Sequence, residues 1–241
     1  MDNEIELLKK RLSELSRRSA ERGISTSSEF LSLGEQTELS RMKTETEYEL
    51  CGGFEQAERK LAVFGGGDPP ISCLEIELRS GKFEKEPAHR DYLGSLMGLG
   101  LRRSTLGDIV IGEGRAWLFC LNSVKGHIIA NLNQVGRSRV RVREAASLPE
   151  KAGTLPEPSF VNAASERLDA VVAAVYNLSR GESRNLFEAE RVLVNGLPAR
   201  SASQRAEPGD VVSVRGMGRF RFEDTCGETR KGRLKLLVRK Y

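Results

Sequence analysis

The chain opens on leucines at helical spacing. Leu7, Leu8, Leu12 and Leu15 recur between charged residues, which predicts an amphipathic helix that stops at Gly23. Ser27 or Ser28 is placed to cap a second helix. A third is predicted between Thr44 and Arg59, interrupted at Cys51-Gly52-Gly53. Residues 1–58 therefore read as a helical N-terminal segment. The period then changes. Lys60–Phe64 and Ile71–Arg79 predict strands, and in the second Cys73, Glu75 and Glu77 alternate with Leu74, Ile76 and Leu78. A helix rich in leucine and glycine follows over His89–Leu101. Strands are predicted at Asp108–Ile111 and Ala116–Leu121, a helix over Val124–Asn133 and a strand over Arg139–Glu144.

From Ile71 the order is strand, helix, strand, strand, helix, strand. That is the split ferredoxin-like, RRM-like plait, assigned to residues 59–147, and it is a common frame for RNA-recognition domains. The order alone serves many functions. Pro149, Gly153, Pro156 and Pro158 mark residues 148–158 as a linker. A second domain is expected over residues 159–241, so the fold class is α+β.

In that second domain Ser165 is placed to cap a helix whose apolar stripe is Leu168, Val171, Val172 and Val175. Ser179-Arg180-Gly181-Glu182 has capping-box spacing and opens another helix, with Arg180, Ser183, Arg184 and Phe187 on one side. The terminus of that helix offers free N–H groups and a positive dipole end, both suited to phosphate. Val192–Val194 reads as a strand entering an Asn195-Gly196 hairpin turn, and Glu207–Asp210 as a turn before a strand over Val211–Arg215. Arg219 and Arg221 alternate with Phe220 and Phe222, and Arg233, Lys235 and Arg239 with Leu234, Leu236 and Val238. Two further strands are predicted, each with an apolar and a cationic side.

A net charge of +4 changes the picture only when divided. Residues 159–241 hold 15 Lys/Arg against 10 Asp/Glu, and Arg215–Tyr241 alone holds 9 against 3. A localised excess of this kind fits polyanion contact. In the plait, Gly136-Arg137-Ser138-Arg139-Val140-Arg141-Val142-Arg143 places Arg137, Arg139, Arg141 and Arg143 on one strand face and Val140 and Val142 on the other. Exposed, snorkelling arginines would give the same pattern without a ligand. Trp117 and Phe119 lie where RRM domains expose aromatic rings, yet core packing is the expected fate of both.

The four cysteines are scattered and only two histidines are present, so neither a disulfide framework nor a zinc site is expected. No run approaches membrane-spanning length and no signal-peptide pattern opens the chain. Reduced cysteines in a cytoplasmic compartment are expected, or in the plastid stroma if a transit peptide was removed.

Arg167-Leu168-Asp169, Ser179-Arg180, Ser183, Val194-Asn195-Gly196 and residues 208–214, Pro-Gly-Asp-Val-Val-Ser-Val, resemble in order and spacing the alpha-L RNA-binding motif. Upstream, residues 88–103 (Ala-His-Arg-Asp-Tyr-Leu-Gly-Ser-Leu-Met-Gly-Leu-Gly-Leu-Arg-Arg) with Leu106-Gly107-Asp108-Ile109 are similar to the signature of the YlmH-like proteins. Residues 214–220 fit the same family. One departure stands out: the motif commonly has Gly before its first strand, where this chain has Glu190-Arg191. The resemblance implies a plait, an alpha-L module and a ribosome-linked role. The relatives include bacterial proteins associated with large ribosomal subunits carrying stalled peptidyl-tRNA, and a cyanobacterial and plastid branch named for photosystem II. The expected partners are thus ribosomal RNA, tRNA and the ribosome on its large subunit, with no membrane, small-molecule substrate or cofactor. The expected RNA contacts are Arg167, Ser179, Arg180, Ser183, Arg184, Arg191, Asn195, Arg215, Arg219 and Arg221, together with the four plait arginines.

Enzyme readings find less support. Arg167-Leu168-Asp169 superficially matches a pseudouridine synthase segment, but it continues as Ala170-Val171-Val172-Ala173 and belongs to the first helix of the binding module. Gly65-Gly66-Gly67 follows a strand, but Pro69 and Pro70 prevent a cofactor-binding helix from opening there. His89 with Asp91 invites acid–base chemistry, yet no nucleophile, metal set or second base accompanies them. No catalytic residue is assigned. The alternatives are an RNA-modifying enzyme with an unrecognised plait site, or an adaptor that binds protein through its first sixty residues.

Overall fold

The computed structural model describes residues 2–79, 86–146, 148–149 and 153–241, so part of the expected linker lies outside the described residues. Two units emerge, Met1–Thr154 and Leu155–Tyr241.

The first unit begins with helix α1 (Asp2–Arg22), ended by Gly23 at φ +61°, and a short strand β1 (Thr26–Ser27). Leu12 is fully buried with Leu8 and Leu15 beside it, whereas Leu7 points to solvent at 60% exposure. Helix α2 (Leu33–Ser40) is capped not by Ser27 or Ser28 but by Ser32, whose hydroxyl accepts from the Glu35 N–H while the Glu35 carboxylate accepts from the Ser32 N–H. Ser28 is used otherwise: its hydroxyl accepts from the Ala62 N–H. The helix expected over Thr44–Arg59 is absent. Tyr48–Cys51 forms strand β2, pairing with β3 (Leu61–Phe64). The reason is the period-2 run Glu47-Tyr48-Glu49-Leu50, which suits a half-buried strand, with Tyr48 packing at 5.7 Å on Phe64.

The plait follows as β4 (Ile71–Leu78), α3 (His89–Gly98), β5 (Leu106–Gly112), β6 (Arg115–Leu121), α4 (Asn122–Asn131), a short β7 (Gln134–Val135) and β8 (Ser138–Ala145). Its sheet order is β5-β6-β4-β8-β7, every neighbour antiparallel, as a split ferredoxin-like plait requires. One face carries Leu74, Ile76, Leu118 and Val142 into a core with Tyr92 and Leu96 of α3 and Ile128 of α4. The other face carries Cys73, Trp117 and Phe119 into a second core, completed by Phe30, Leu61 and Val63 of the N-terminal segment. The first sixty residues are thus built onto the plait sheet. Asp108 fastens them, its carboxylate accepting from the Glu58 N–H at 2.5 Å. Arg59 reciprocates by donating to the carbonyls of Leu106 and Phe30.

The second unit is an antiparallel sheet with two helices on one face. Strand β9 (Pro158–Ala163), α5 (Leu168–Tyr176), α6 (Arg180–Glu188), β10 (Val192–Val194), β11 (Leu197–Pro198), β12 (Val211–Val214), β13 (Gly218–Glu228) and β14 (Leu234–Lys240) run in chain order. The sheet order is β11-β10-β12-β13-β14-β9, so the two basic strands extend the module's sheet. Phe220, Phe222, Leu236 and Val238 face Leu168, Val171 and Val172 in its core.

Candidate nucleic-acid interface

Helix α5 starts two residues later than a Ser165 cap would place it. Arg167 holds the N-cap position, and the Ser165 hydroxyl accepts from its N–H. Asn177 ends the helix in the left-handed conformation at φ +58°. Two residues on, Ser179 caps α6 as expected, accepting from the Glu182 N–H at 3.2 Å. The Glu182 carboxylate returns a bond to the Ser179 N–H, which holds it below the usual carboxylate range.

This tight αα corner brings three cations together. Arg167, Arg180 and Arg184 line one cleft of about 250 Å³ with Ala164, Ser165, Asp169 and Ala170. Arg167 forms a bidentate pair with Asp169, at 3.0 and 2.7 Å. The hydrogen bond from Arg167 depresses the Asp169 pKa against the opposing effect of burial, and the Arg184 charge adds to it. Arg180 and Arg184 are exposed and have no ion pair or hydrogen bond among the described residues, so Arg180 is not tied to Glu182 or Glu188. Arg184 also borders a neighbouring cleft of about 470 Å³, lined among others by Glu188, Glu190 and Arg200. Arg200 escaped the sequence reading because it follows a two-residue strand with no cationic pattern around it.

The remaining candidates divide by geometry. Ser183 is fully buried and its hydroxyl donates to the Asp169 carbonyl at 2.7 Å, so it joins α6 to α5 and is not open to a ligand. Asn195 is also committed. Asn195 and Gly196 take φ +49° and +78°, the paired positive values of a tight hairpin turn. The Asn195 amide donates to Asp210 at 2.7 Å and accepts from the Val211 N–H at 2.9 Å. The Asn195-Gly196 and Pro208-Gly209-Asp210 segments of the motif are therefore two halves of one structural lock. Arg191 is exposed, and its guanidinium donates to the Arg215 carbonyl at 2.5 Å. Arg219 lies 4.5 Å over the Tyr241 ring, and Arg221 sits 3.7 Å from Glu223 on the sheet face turned away from the helices.

The four plait arginines belong to the other unit. Arg137 occupies the β7–β8 turn, and Arg139, Arg141 and Arg143 are exposed along β8 while Val140 and Val142 are buried. Arg143 is engaged with Glu75 at 2.7 Å. Trp117 and Phe119 are buried at 7% and 2% exposure. Asp91 accepts from the Ala88 N–H at 2.8 Å, a helix-start contact. Among the described residues no cluster of His, Cys, Asp and Glu could hold a metal ion.

Arg180 at the start of α6 and Arg184 one turn on are exposed on a two-helix corner packed on this sheet, in the region that resembles the alpha-L motif. Residues 166–212 match the S4 domain, the name under which that module is described. Residues 68–148 match the putative RNA-binding domain in YlmH. A Bacillus subtilis (strain 168) protein, ribosome-associated protein quality control protein P2, is 30% identical over 214 residues, which cover 84% of this chain and 82% of that one. The chain belongs to the YlmH-like family of RNA-binding proteins. A solved structure, cell division protein ylmH from Streptococcus pneumoniae, is 20% identical with a TM-score of 0.47, covering 59% of this chain and 91% of that one. Where the alpha-L motif commonly has Gly before its first strand, Glu190 adopts φ +50°. The turn geometry is kept although the glycine is not.

Proposed function

We propose that this protein binds ribosomal RNA or tRNA on the large ribosomal subunit and acts as a binding factor in translation quality control. The convergence of Arg167, Arg180 and Arg184 on one cleft carries the reading. Two of the three, Arg180 and Arg184, make no ion pair or hydrogen bond among the described residues, and the helix start adds its N–H groups and dipole. Guanidinium groups so placed can grip phosphate bidentately. The quality-control role is drawn from the name of the Bacillus subtilis relative. The clustering of three arginines in this cleft supports polyanion binding. A cytoplasmic setting accords with this role.

The test is Arg180→Glu, which sets repulsion where a phosphate would sit. Arg180 is exposed, so thermal melts should match the wild type. Co-sedimentation with large subunits should fall about tenfold or more at 0.1 M salt, given a slope of roughly 0.9 per phosphate contact. A folded Arg180→Glu variant that still sediments like the wild type would remove this cleft as the RNA site.

A further inference from the structure

RNA-reading plaits stack unpaired bases on aromatic side chains of their two central strands. In this plait those strands are β4 and β6, and the side chains on the face away from the helices are Cys73, Glu75 and Glu77 on one and Arg115, Trp117 and Phe119 on the other. The aromatic half of that face is closed. Phe30, Leu61 and Val63 pack onto it, and Phe54 stacks on Phe119 at 4.8 Å between ring centroids. The fit is tight: a Cβ on Gly107 would meet the Phe30 ring at 2.8 Å, and one on Gly53 would meet the Phe119 ring at 2.4 Å. A cleft of about 510 Å³ borders this core beside Ile71 and Cys73, but the Phe119 ring is already stacked by Phe54 and Trp117 is buried, so neither ring face is offered to a base.

The other half of the same face is open and cationic. Glu75, 6% exposed, is bracketed by Arg115 at 2.9 Å and Arg143 at 2.7 Å, so its charge is answered twice within the protein. Beyond it Arg139 and Arg141 are exposed on β8, with no ion pair or hydrogen bond from their side chains among the described residues. The strand alternation adds Arg79, also exposed, whose N–H donates to the Arg139 carbonyl at 2.9 Å. Among the described residues of these two strands, Glu77 lies opposite Arg141 with the contrary sign. Arg139 and Arg141 are two residues apart on one strand, so their side chains rise about 7 Å apart, close to the spacing of successive phosphates.

We propose that the plait is a backbone clamp for paired RNA: it holds phosphates through Arg79, Arg139 and Arg141 and reads no bases, because the N-terminal segment has taken the stacking positions for its own core. The inference rests on the RNA-binding reading above and specifies how the first unit takes part in it. A surface without a stacking platform gives an unpaired strand nothing in return for splaying its bases. A helix, whose bases already stack on one another, presents phosphates at no such cost.

The chain has a single tryptophan, Trp117, which reports directly on the closed half of the face. The full-length protein is titrated with a 20-base-pair RNA duplex and with an unpaired RNA of equal length, following Trp117 emission and, separately, the anisotropy of labelled RNA. The duplex should bind more tightly, and neither RNA should quench Trp117. Arg139→Gln with Arg141→Gln should lower duplex affinity by about eightfold per lost contact at 0.1 M salt, with the log–log salt slope falling by roughly 0.9 for each. Tighter binding of the unpaired strand with quenching of Trp117 would overturn the proposal, and so would an unchanged slope in the double variant. In both cases the wild type still binds RNA, so the functional reading would survive. Failure of wild-type protein to bind either RNA would sink both.

Discussion

Glu190 offers a stability measurement whose sign follows from backbone geometry. It follows Ala189, the residue that closes α6, and its φ of +50° is the left-handed conformation. Its N–H donates to the Phe187 carbonyl at 3.0 Å and the next N–H, of Arg191, to the Leu186 carbonyl at 2.9 Å. This is the double-bond pattern of a helix end that usually has glycine at the left-handed position. A residue with a Cβ loses roughly 1–2 kcal/mol there. Glycine removes that cost but gives up about 0.5–1 kcal/mol in greater unfolded-chain entropy. Both hydrogen bonds are made by the backbone and survive the exchange. Glu190→Gly should therefore stabilise the second unit by about 0.5–1 kcal/mol, read as a higher urea midpoint at constant m. Glu190→Gln separates conformation from charge, because it removes the carboxylate from the cleft that Arg184 and Arg200 share while keeping the strained φ. It should leave the midpoint where it is, whereas both variants should tighten RNA binding slightly at low salt. A lower midpoint for Glu190→Gly, or an equal gain for Glu190→Gln, would refute the argument from backbone strain.

Asp169 is held below its usual pKa by the Arg167 hydrogen bond, so its contribution to stability is full above the unfolded carboxylate value and is lost as pH falls through the folded one. Asp169→Asn should flatten the acid arm of the stability profile in pH-dependent urea melts, and by freeing Arg167 it should strengthen RNA binding at low salt. Burial pushes the Cys73 thiol up to about 11 and the Cys120 thiol up to about 12, whereas Cys226 is exposed, so a maleimide at pH 7.5 should label Cys226 rapidly and leave Cys73 and Cys120 unmodified under mass spectrometry.

The parts of this fold that were legible beforehand are those written in short-range chemistry. The individual plait strands and helices, the Ser179–Glu182 capping box, the Asn195-Gly196 hairpin and the two basic strands are each signalled by residues within one turn or a few alternations of each other. Misreadings arose where a local signal was answered from elsewhere in the chain. Ser28 looked like a helix cap but is consumed by the Ala62 N–H, and residues 48–51 became a strand because Leu61–Phe64 supplied a partner. Ser183 and Asn195 show the same effect within the candidate site. Both are polar, both belong to the motif, and both are spent on holding its parts together, through the Asp169 carbonyl and through Asp210.

The distinction between a motif's polar residues and its ligand contacts can be drawn physically. A buried hydroxyl or amide must find a partner inside the protein, since leaving it unmade costs about 1–3 kcal/mol. Such a residue is fixed by the fold before any RNA arrives. An exposed arginine faces no such requirement, because water and counterions satisfy it until a phosphate replaces them. Arg180, Arg184, Arg139 and Arg141 are exposed and make no ion pair or hydrogen bond among the described residues, whereas Arg143 and Arg167 answer carboxylates of their own chain. The sequence placed all six on cationic faces without ranking them. The structure ranks them by what each already holds. Charge reversal at the uncommitted four should act on RNA affinity with little change in melting. At Arg143 and Arg167 the same substitution also breaks an ion pair, so affinity and stability should move together.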